Sequence, residues 1–151
     1  MHLIDILTIV LAGLMVGNEL TVSLFINPVM WKLDAGAQAK ALSLFAGILG
    51  RVMPFWYGLC LILFLIEAVV HRGEPGFYPL VAASILWAAI IVFTIVWLVP
   101  INNRVAALAE GAPLERWLPE HRRWDRLHRV RILLLLVALV LATHALLQCG
   151  R

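Results

Sequence analysis

Glu19 stands near the middle of an apolar stretch that runs from Leu3 to about Trp31. A carboxyl group at that depth in a bilayer is costly unless it faces a bundle interior or a wet cavity, so position alone makes it a functional candidate. At about 100° per residue, Asp5, Thr8, Ala12 and Ser23 fall within about 40° of Glu19 on the helix wheel. One face of this helix therefore carries a stripe of polar and small residues that a lipid-facing surface would not need. Asn18 adds a side-chain amide beside it. The chemistry a carboxylate offers in such a place is proton abstraction from a bound molecule.

A second constellation lies far along the chain. Trp124, His128 and Arg131 are spaced i, i+4 and i+7, which places them on one helix face. Asn102 and Asn103, just after Pro100, and Arg51, just before Pro54, are expected at the same membrane level. These are donors of the kind that hold a developing oxyanion, arranged as a polar lid with Glu19 below, and His128 is a second candidate base. From the rise of about 1.5 Å per residue, Glu19 is expected nearer the midplane than His128, too far for a direct bond. A ligand of several fused rings would bridge that gap. Arg122, Arg123, Arg126 and Arg129 read as topology signals and lipid-phosphate contacts.

A third set, His2, His71, His144 and Cys149, shares the opposite membrane side. It offers donors for a copper ion, and His71 with His144 offers an axial pair for haem. Each residue comes from a different element, with no ligand spacing. The expectation is no metal site and no cofactor, with copper or haem as the alternative. Cys60 and Cys149 suggest no disulfide framework.

These residues need elements to hold them, and composition says which. Hydrophobic residues make up 63% of the chain and charged residues 14%, outside the range of soluble domains and typical of integral membrane proteins. The 151 residues leave room for four spans of ~20 residues with short connections in one domain. The spans are expected at about 3–31, 53–70, 78–99 and 130–148. The opening MHLID lacks a basic region, so the first span is expected to be retained and not cleaved as a signal peptide. Ala35 to Leu49 reads as a short interfacial helix, His71 to Gly76 as a tight turn, and Gly111 to Glu120 as a loop. Gly13 and Gly17 form a small-xxx-small pair where a neighbouring helix would approach closely.

The net charge of +3 is unevenly distributed. Lys32, Lys40, Arg51, Arg104, Arg116, Arg122, Arg123, Arg126, Arg129 and Arg131 fall on one side of the four spans. Arg72 and Arg151 fall on the other. Ten against two predicts that the 100–131 segment faces the cytoplasm of a bacterial-type inner membrane and both termini face outward. The charge thus reports orientation, and no nucleic-acid partner is expected. No glycine-rich phosphate loop, GxSxG, CxxC or HExxH occurs, which argues against nucleotide-driven chemistry and zinc hydrolysis. Four spans are few for a secondary transporter.

The run Val99-Pro100-Ile101-Asn102-Asn103-Arg104 and the later Arg123-Trp124-Asp125-Arg126-Leu127-His128-Arg129-Val130-Arg131, opening a last apolar helix, resemble the anthrone oxygenase-like membrane family. The segment GNELTVSLFINP, Gly17 to Pro28, is similar to that family's opening. The resemblance implies a four-helix membrane bundle. It also implies oxidation of a polyketide anthrone to an anthraquinone by molecular oxygen without an evident cofactor. The matched positions are Asn102, Asn103, Trp124, His128 and Arg131, with polar residues of the first helix.

The expectation is an all-α, antiparallel four-transmembrane-helix bundle with a short interfacial helix. Its partners are the lipid bilayer, a lipophilic phenolic or polycyclic aromatic molecule, and in principle further copies of itself. Glu19 and His128 are the candidate catalytic residues; Asn18, Arg51, Asn102, Asn103, Trp124 and Arg131 are the candidate substrate contacts. The alternative function is a non-catalytic accessory or a lipid- or quinone-binding protein, and a third is an outward-facing copper or haem protein.

Overall fold

The computed structural model describes residues 3–107 and 114–149, for 114–116 the backbone alone. Among these residues the chain forms four long helices: α1 Leu3–Met30, α2 Ala35–Val70, α3 Phe77–Ala106 and α4 Leu114–Cys149. All four are long and apolar enough to cross a bilayer, and the chain is a multi-pass membrane protein built as an antiparallel four-helix bundle. In the bundle α1 packs against α2 and α4, and α3 packs against the same two helices. Large apolar side chains such as Leu14, Phe55, Ile62, Ile85 and Val140 point outward, as lipid contact requires. His2, Arg151 and the Gly111–Pro113 part of the expected loop lie outside the described residues.

Two helices are longer than the sequence pattern suggested, and this corrects two expectations. Ala35–Leu49 is not a separate interfacial helix; it is the first part of the 36-residue α2. Asp34 caps this helix, its carboxylate accepting from the Ala37 N–H at 2.9 Å. Ala39 and Leu42 pack with Met30, Ile101, Val105 and Trp117 in a core layer at the basic end of the bundle. That packing outweighs Gly47, Gly50 and Pro54, which read as breakers in isolation. Likewise 114–120 is helix and not loop, with Pro119 inside α4, whereas the continuation of α3 past Pro100 to Ala106 agrees with the kinked helical extension the sequence suggests after Ile101. A proline near a helix start removes only one intrahelical bond, which packing readily offsets.

Two of the four helices contain a widened π turn, Val22–Ile26 in α1 and Thr94–Leu98 in α3. Each is followed at once by an X-Pro pair, Asn27-Pro28 and Val99-Pro100. Proline has no N–H for the preceding turn and its ring crowds the carbonyl four residues back, so the helix relaxes by widening.

The core has three layers. At its centre Met15, Val16, Tyr57, Cys60, Phe64, Trp87 and Leu135 are buried together, and Phe64 meets Trp87 edge-on at 5.0 Å. The Trp56 indole donates to the Leu11 carbonyl and the Trp87 indole to the Tyr57 carbonyl, both at 3.1 Å. These bonds tie α2 to α1 and α3. The third layer, Ala68, Leu80, Ala145 and Leu146, closes the end that carries the termini. There the turn after α2 comes so near α4 that a side chain at Gly76 would collide with the Ala145 backbone and the Cys149 sulfur. Gly73 takes the left-handed conformation (φ 91°) the turn needs. Gly13 and Gly17, in contrast, have no neighbour within 4 Å of where a side chain would sit. Their expected role in close helix approach is not realised within the chain.

Candidate functional site

Four buried polar side chains from three helices meet inside the bundle: Glu19 of α1, Tyr57 of α2, and His128 and Arg131 of α4. One Glu19 oxygen, Oε2, accepts from Arg131 Nη2 at 2.6 Å, and the other, Oε1, accepts from the Tyr57 hydroxyl at 3.0 Å. Arg131 Nη2 also lies 2.9 Å from His128 Nδ1, and His128 Nε2 lies 3.2 Å from the Glu19 carbonyl oxygen. These contacts fit the tautomer that donates from Nε2 and accepts at Nδ1. The guanidinium sits over the Tyr57 ring, 5.6 Å from its centroid. A second Arg131 nitrogen reaches Thr94 Oγ1 at 3.5 Å. Thr94 opens the π turn of α3, and its hydroxyl is otherwise committed to the Ile90 carbonyl.

Charges are tolerated here because they are paired. Removing one partner from a buried pair leaves an uncompensated charge at a cost of about 3–5 kcal/mol. Arg131 Nε, however, is buried with no hydrogen-bond partner among the described residues. One donor of the pair is thus left over.

All four side chains of the network line a cavity of about 320 Å³, within the range that holds a drug-sized ligand. Its walls are mostly apolar, including Leu42, Phe45, Leu49, Met53, Ile91 and Val99. Polar groups enter from Asn18, Asn27, Asn102, Asn103, His121 and Trp124. Val22 and Ile26 of one π turn and Thr94 and Ile95 of the other line it too, so the two widened turns border the cavity. Pro54 also faces it, and because proline cannot donate, the Gly50 carbonyl on the same wall lacks its helical partner.

On α4 an aromatic stack runs along the cavity. His128 and Trp124 are nearly parallel with centroids 4.5 Å apart, and His121 stacks beyond Trp124 at 6.2 Å. Trp31 adds a tilted contact to His121 at 4.8 Å. Trp124 Nε1 and His121 Nε2 are buried without hydrogen-bond partners among the described residues. Away from the stack, Asn27 donates to Asp125 at 2.8 Å and Arg129 donates to the other Asp125 oxygen at 2.7 Å. This fixes the end of α1 against α4.

Of the residues singled out from sequence, Glu19, Asn18, Asn102, Asn103, Trp124, His128 and Arg131 all line the cavity. The expected separation of Glu19 and His128 is corrected, since His128 Nδ1 lies 3.2 Å from Glu19 Oε2. Glu19 is eleven residues inside the Met30 end of α1, and His128 fourteen inside the Leu114 end of α4. At 1.5 Å per residue these are depths of about 16 and 21 Å; the error came from starting the last helix near residue 130. Arg51 is corrected too. It is exposed, its Nε bonds to the Gly47 carbonyl at 3.0 Å, and the cavity is lined instead by Gly50, Met53, Pro54 and Tyr57.

Tyr57, His121, Asn27 and Thr94 were not anticipated. His121 was readable, because it extends the Trp124, His128, Arg131 spacing back by one turn. Tyr57 shares the i, i+3, i+7 stripe of Cys60 and Phe64 and was the one tyrosine placed well inside a span.

At the other end, His71 is buried among Asp5, Glu67 and Glu74. His144 is exposed and pairs with Gln148 at 3.0 Å. The structure does not bring it to His71. Cys60 and Cys149 are both free thiols.

Residues 42–141 match the family described as anthrone oxygenase, about two thirds of the chain. The protein belongs to that family. The matched segment holds Tyr57, Asn102, Asn103, Trp124, His128 and Arg131, whereas Glu19 precedes it. No curated protein and no solved structure matches the chain.

Proposed function

We propose that the protein is a membrane-embedded oxygenase acting on a lipophilic phenolic or polycyclic aromatic of the anthrone type, without a bound cofactor. The observation that carries this reading is the Glu19–Arg131–Tyr57–His128 network in the lining of a mostly apolar cavity. Family membership supports an oxygenase-like activity.

In this reading a flat, largely apolar molecule enters from the bilayer and lies against the Trp124–His128 stack. Glu19 accepts a proton from the activated carbon, or from a phenol conjugated with it, and His128 is the alternative acceptor. Arg131, through the Nε–H that no protein group takes up, and Asn102 and Asn103 donate to the oxygen on which negative charge collects. The resulting electron-rich carbanion reacts with molecular oxygen to give a hydroperoxide at carbon. Loss of water then leaves a ketone. The methylene thus becomes a carbonyl, one oxygen atom stays in the quinone and the other leaves as water. The ten-to-two distribution of basic residues supports a cytoplasmic position for the cavity end, with both termini outside the inner membrane.

The test supplies anthrone to detergent-purified protein and follows oxygen uptake together with quinone absorbance. Wild type is expected to turn over, and Glu19→Gln to lose at least about a hundredfold, in keeping with removal of a catalytic base. Tyr57→Phe retains the carboxylate and is expected to fall less, which separates chemistry from a failure to fold. Wild-type rates in a folded Glu19→Gln protein exclude Glu19 as the base. Tight binding of anthrone or a quinone by wild type without oxygen uptake replaces this reading with a lipid- or quinone-binding role.

A further inference from the structure

The end of the bundle that carries the termini has its own buried polar cluster, which the cavity chemistry does not use. Asp5, Thr8, Glu67 and His71 are all at most 3% exposed, and Glu67 is 0% exposed. The Thr8 hydroxyl donates to Glu67 Oε1 at 2.8 Å, while Oε2 of the same carboxylate accepts no hydrogen bond. Among the described residues, Glu67 forms an ion pair with His71 and with no lysine or arginine. His71 Nε2 lies 3.4 Å from both Glu67 Oε2 and Asp5 Oδ1. On the other side of the ring, Nδ1 lies 3.4 Å from Glu74 Oε2, a carboxylate in the turn that reaches solvent.

These distances are informative. A charge-assisted N–H···O bond closes to about 2.7–2.9 Å, and Arg131 with Glu19 does so at the other end of the molecule. Three contacts at 3.4 Å are too long for that. Donor atoms bound at about 2.1 Å around a tetrahedral cation, however, stand about 3.4 Å from one another. The three atoms Asp5 Oδ1, Glu67 Oε2 and His71 Nε2 all lie within 4.8 Å of each other. The surroundings are also those of a ligand set. His71 Nε2 is the ring nitrogen turned toward both carboxylates, within hydrogen-bond distance of Asp5 Oδ1, Glu74 faces the other nitrogen, and Thr8 holds the far oxygen of Glu67. Carboxylate and hydroxyl partners of this kind orient metal ligands.

We propose that Asp5, Glu67 and His71 bind a divalent cation of the zinc type, reached through the His71–Gly76 turn. One histidine nitrogen and two carboxylate oxygens suit a borderline ion such as Zn²⁺. The cation supplies the positive charge that an arginine supplies around Glu19. The inference is independent of the oxygenase reading, because it concerns other residues at the other end of the bundle.

The experiment uses the untagged full-length protein in detergent, stripped with chelator and titrated with zinc chloride against a chromophoric competitor. One high-affinity Zn²⁺ per chain is expected. Glu67→Gln and Asp5→Asn are expected to abolish stoichiometric binding while the protein remains monodisperse, and Thr8→Val to weaken it about tenfold by freeing Glu67. Cys149→Ser should bind as wild type does. Absence of a stoichiometric site in wild type overturns the proposal, as does binding that survives Glu67→Gln and Asp5→Asn. Loss of binding in Cys149→Ser also overturns it, since that moves the ion to the alternative group His71, Glu74 and Cys149 at the rim.

Discussion

Two buried polar clusters lie at different depths in the same bundle, and they solve the problem of charge in a bilayer differently. Around Glu19 each carboxylate oxygen receives a short bond, from Arg131 at 2.6 Å and from Tyr57 at 3.0 Å, and a cavity opens beside them. Around Glu67 one oxygen is satisfied by Thr8, and the other faces His71 at 3.4 Å without a hydrogen bond. Between them Ala12, Met15, Val16, Cys60 and Phe64 form a buried apolar layer. The first cluster carries its own cation and leaves Arg131 Nε without a hydrogen-bond partner among the described residues. Among the described residues the second has no arginine or lysine on Glu67, and its three donor atoms lie within 4.8 Å of one another. A buried carboxylate is therefore not one kind of feature; its partners decide what it is for.

The sharpest way to break the comparison is to remove a charge in each cluster. Arg131→Ala should destabilise the protein by about 3–5 kcal/mol, because Glu19 is left buried and unpaired. Glu19→Leu combined with Arg131→Met should recover most of that loss, as read by thermal unfolding in detergent. A double variant no more stable than Arg131→Ala would show that the pair is not what holds the three helices together there.

At the other end Glu67→Gln should cost much less in chelator, since it removes a carboxylate that no arginine or lysine among the described residues balances. Its effect should appear on adding Zn²⁺. Wild type should gain thermal stability with increasing zinc, as any ligand bound by the folded state alone requires, and the variant should not. Parallel gains in both proteins would remove the asymmetry between the clusters.

Smaller effects sharpen the picture of the cavity end. Tyr57→Phe deletes one hydrogen bond to Glu19 and should cost about 0.5–1.5 kcal/mol, measured by the same unfolding. Arg51→Ala is the smallest. As an exposed side chain outside the cavity, it should change stability by no more than about 0.5 kcal/mol and leave anthrone oxidation as it is. A large loss of activity there would return Arg51 to the site.

Much of this molecule is written along the chain. Four spans follow from length and apolar content, because a bilayer admits only backbones whose hydrogen bonds are closed within the segment. The polar stripe of the first helix, Asp5, Thr8, Ala12, Glu19 and Ser23, follows from helical period, and all five residues are buried. So does the shared face of Trp124, His128 and Arg131. The π turns were not legible: X-Pro pairs follow both of them, yet Met53-Pro54 and Leu118-Pro119 lie in regular helix.

Tertiary structure decided the rest, and the reason is registry. Which residue of α1 stands level with which residue of α4 depends on where both helices begin and how the basic ends pack. That packing turns Ala35–Leu49 and 114–120 into helix and brings Glu19 within 3.2 Å of His128. Period alone places Glu19 and Glu67 on inward faces. It does not say that Glu19 meets an arginine 112 residues away or that Glu67 meets the hydroxyl of Thr8, 59 residues away. Those pairings come from packing between helices, where sequence separation carries no information about distance.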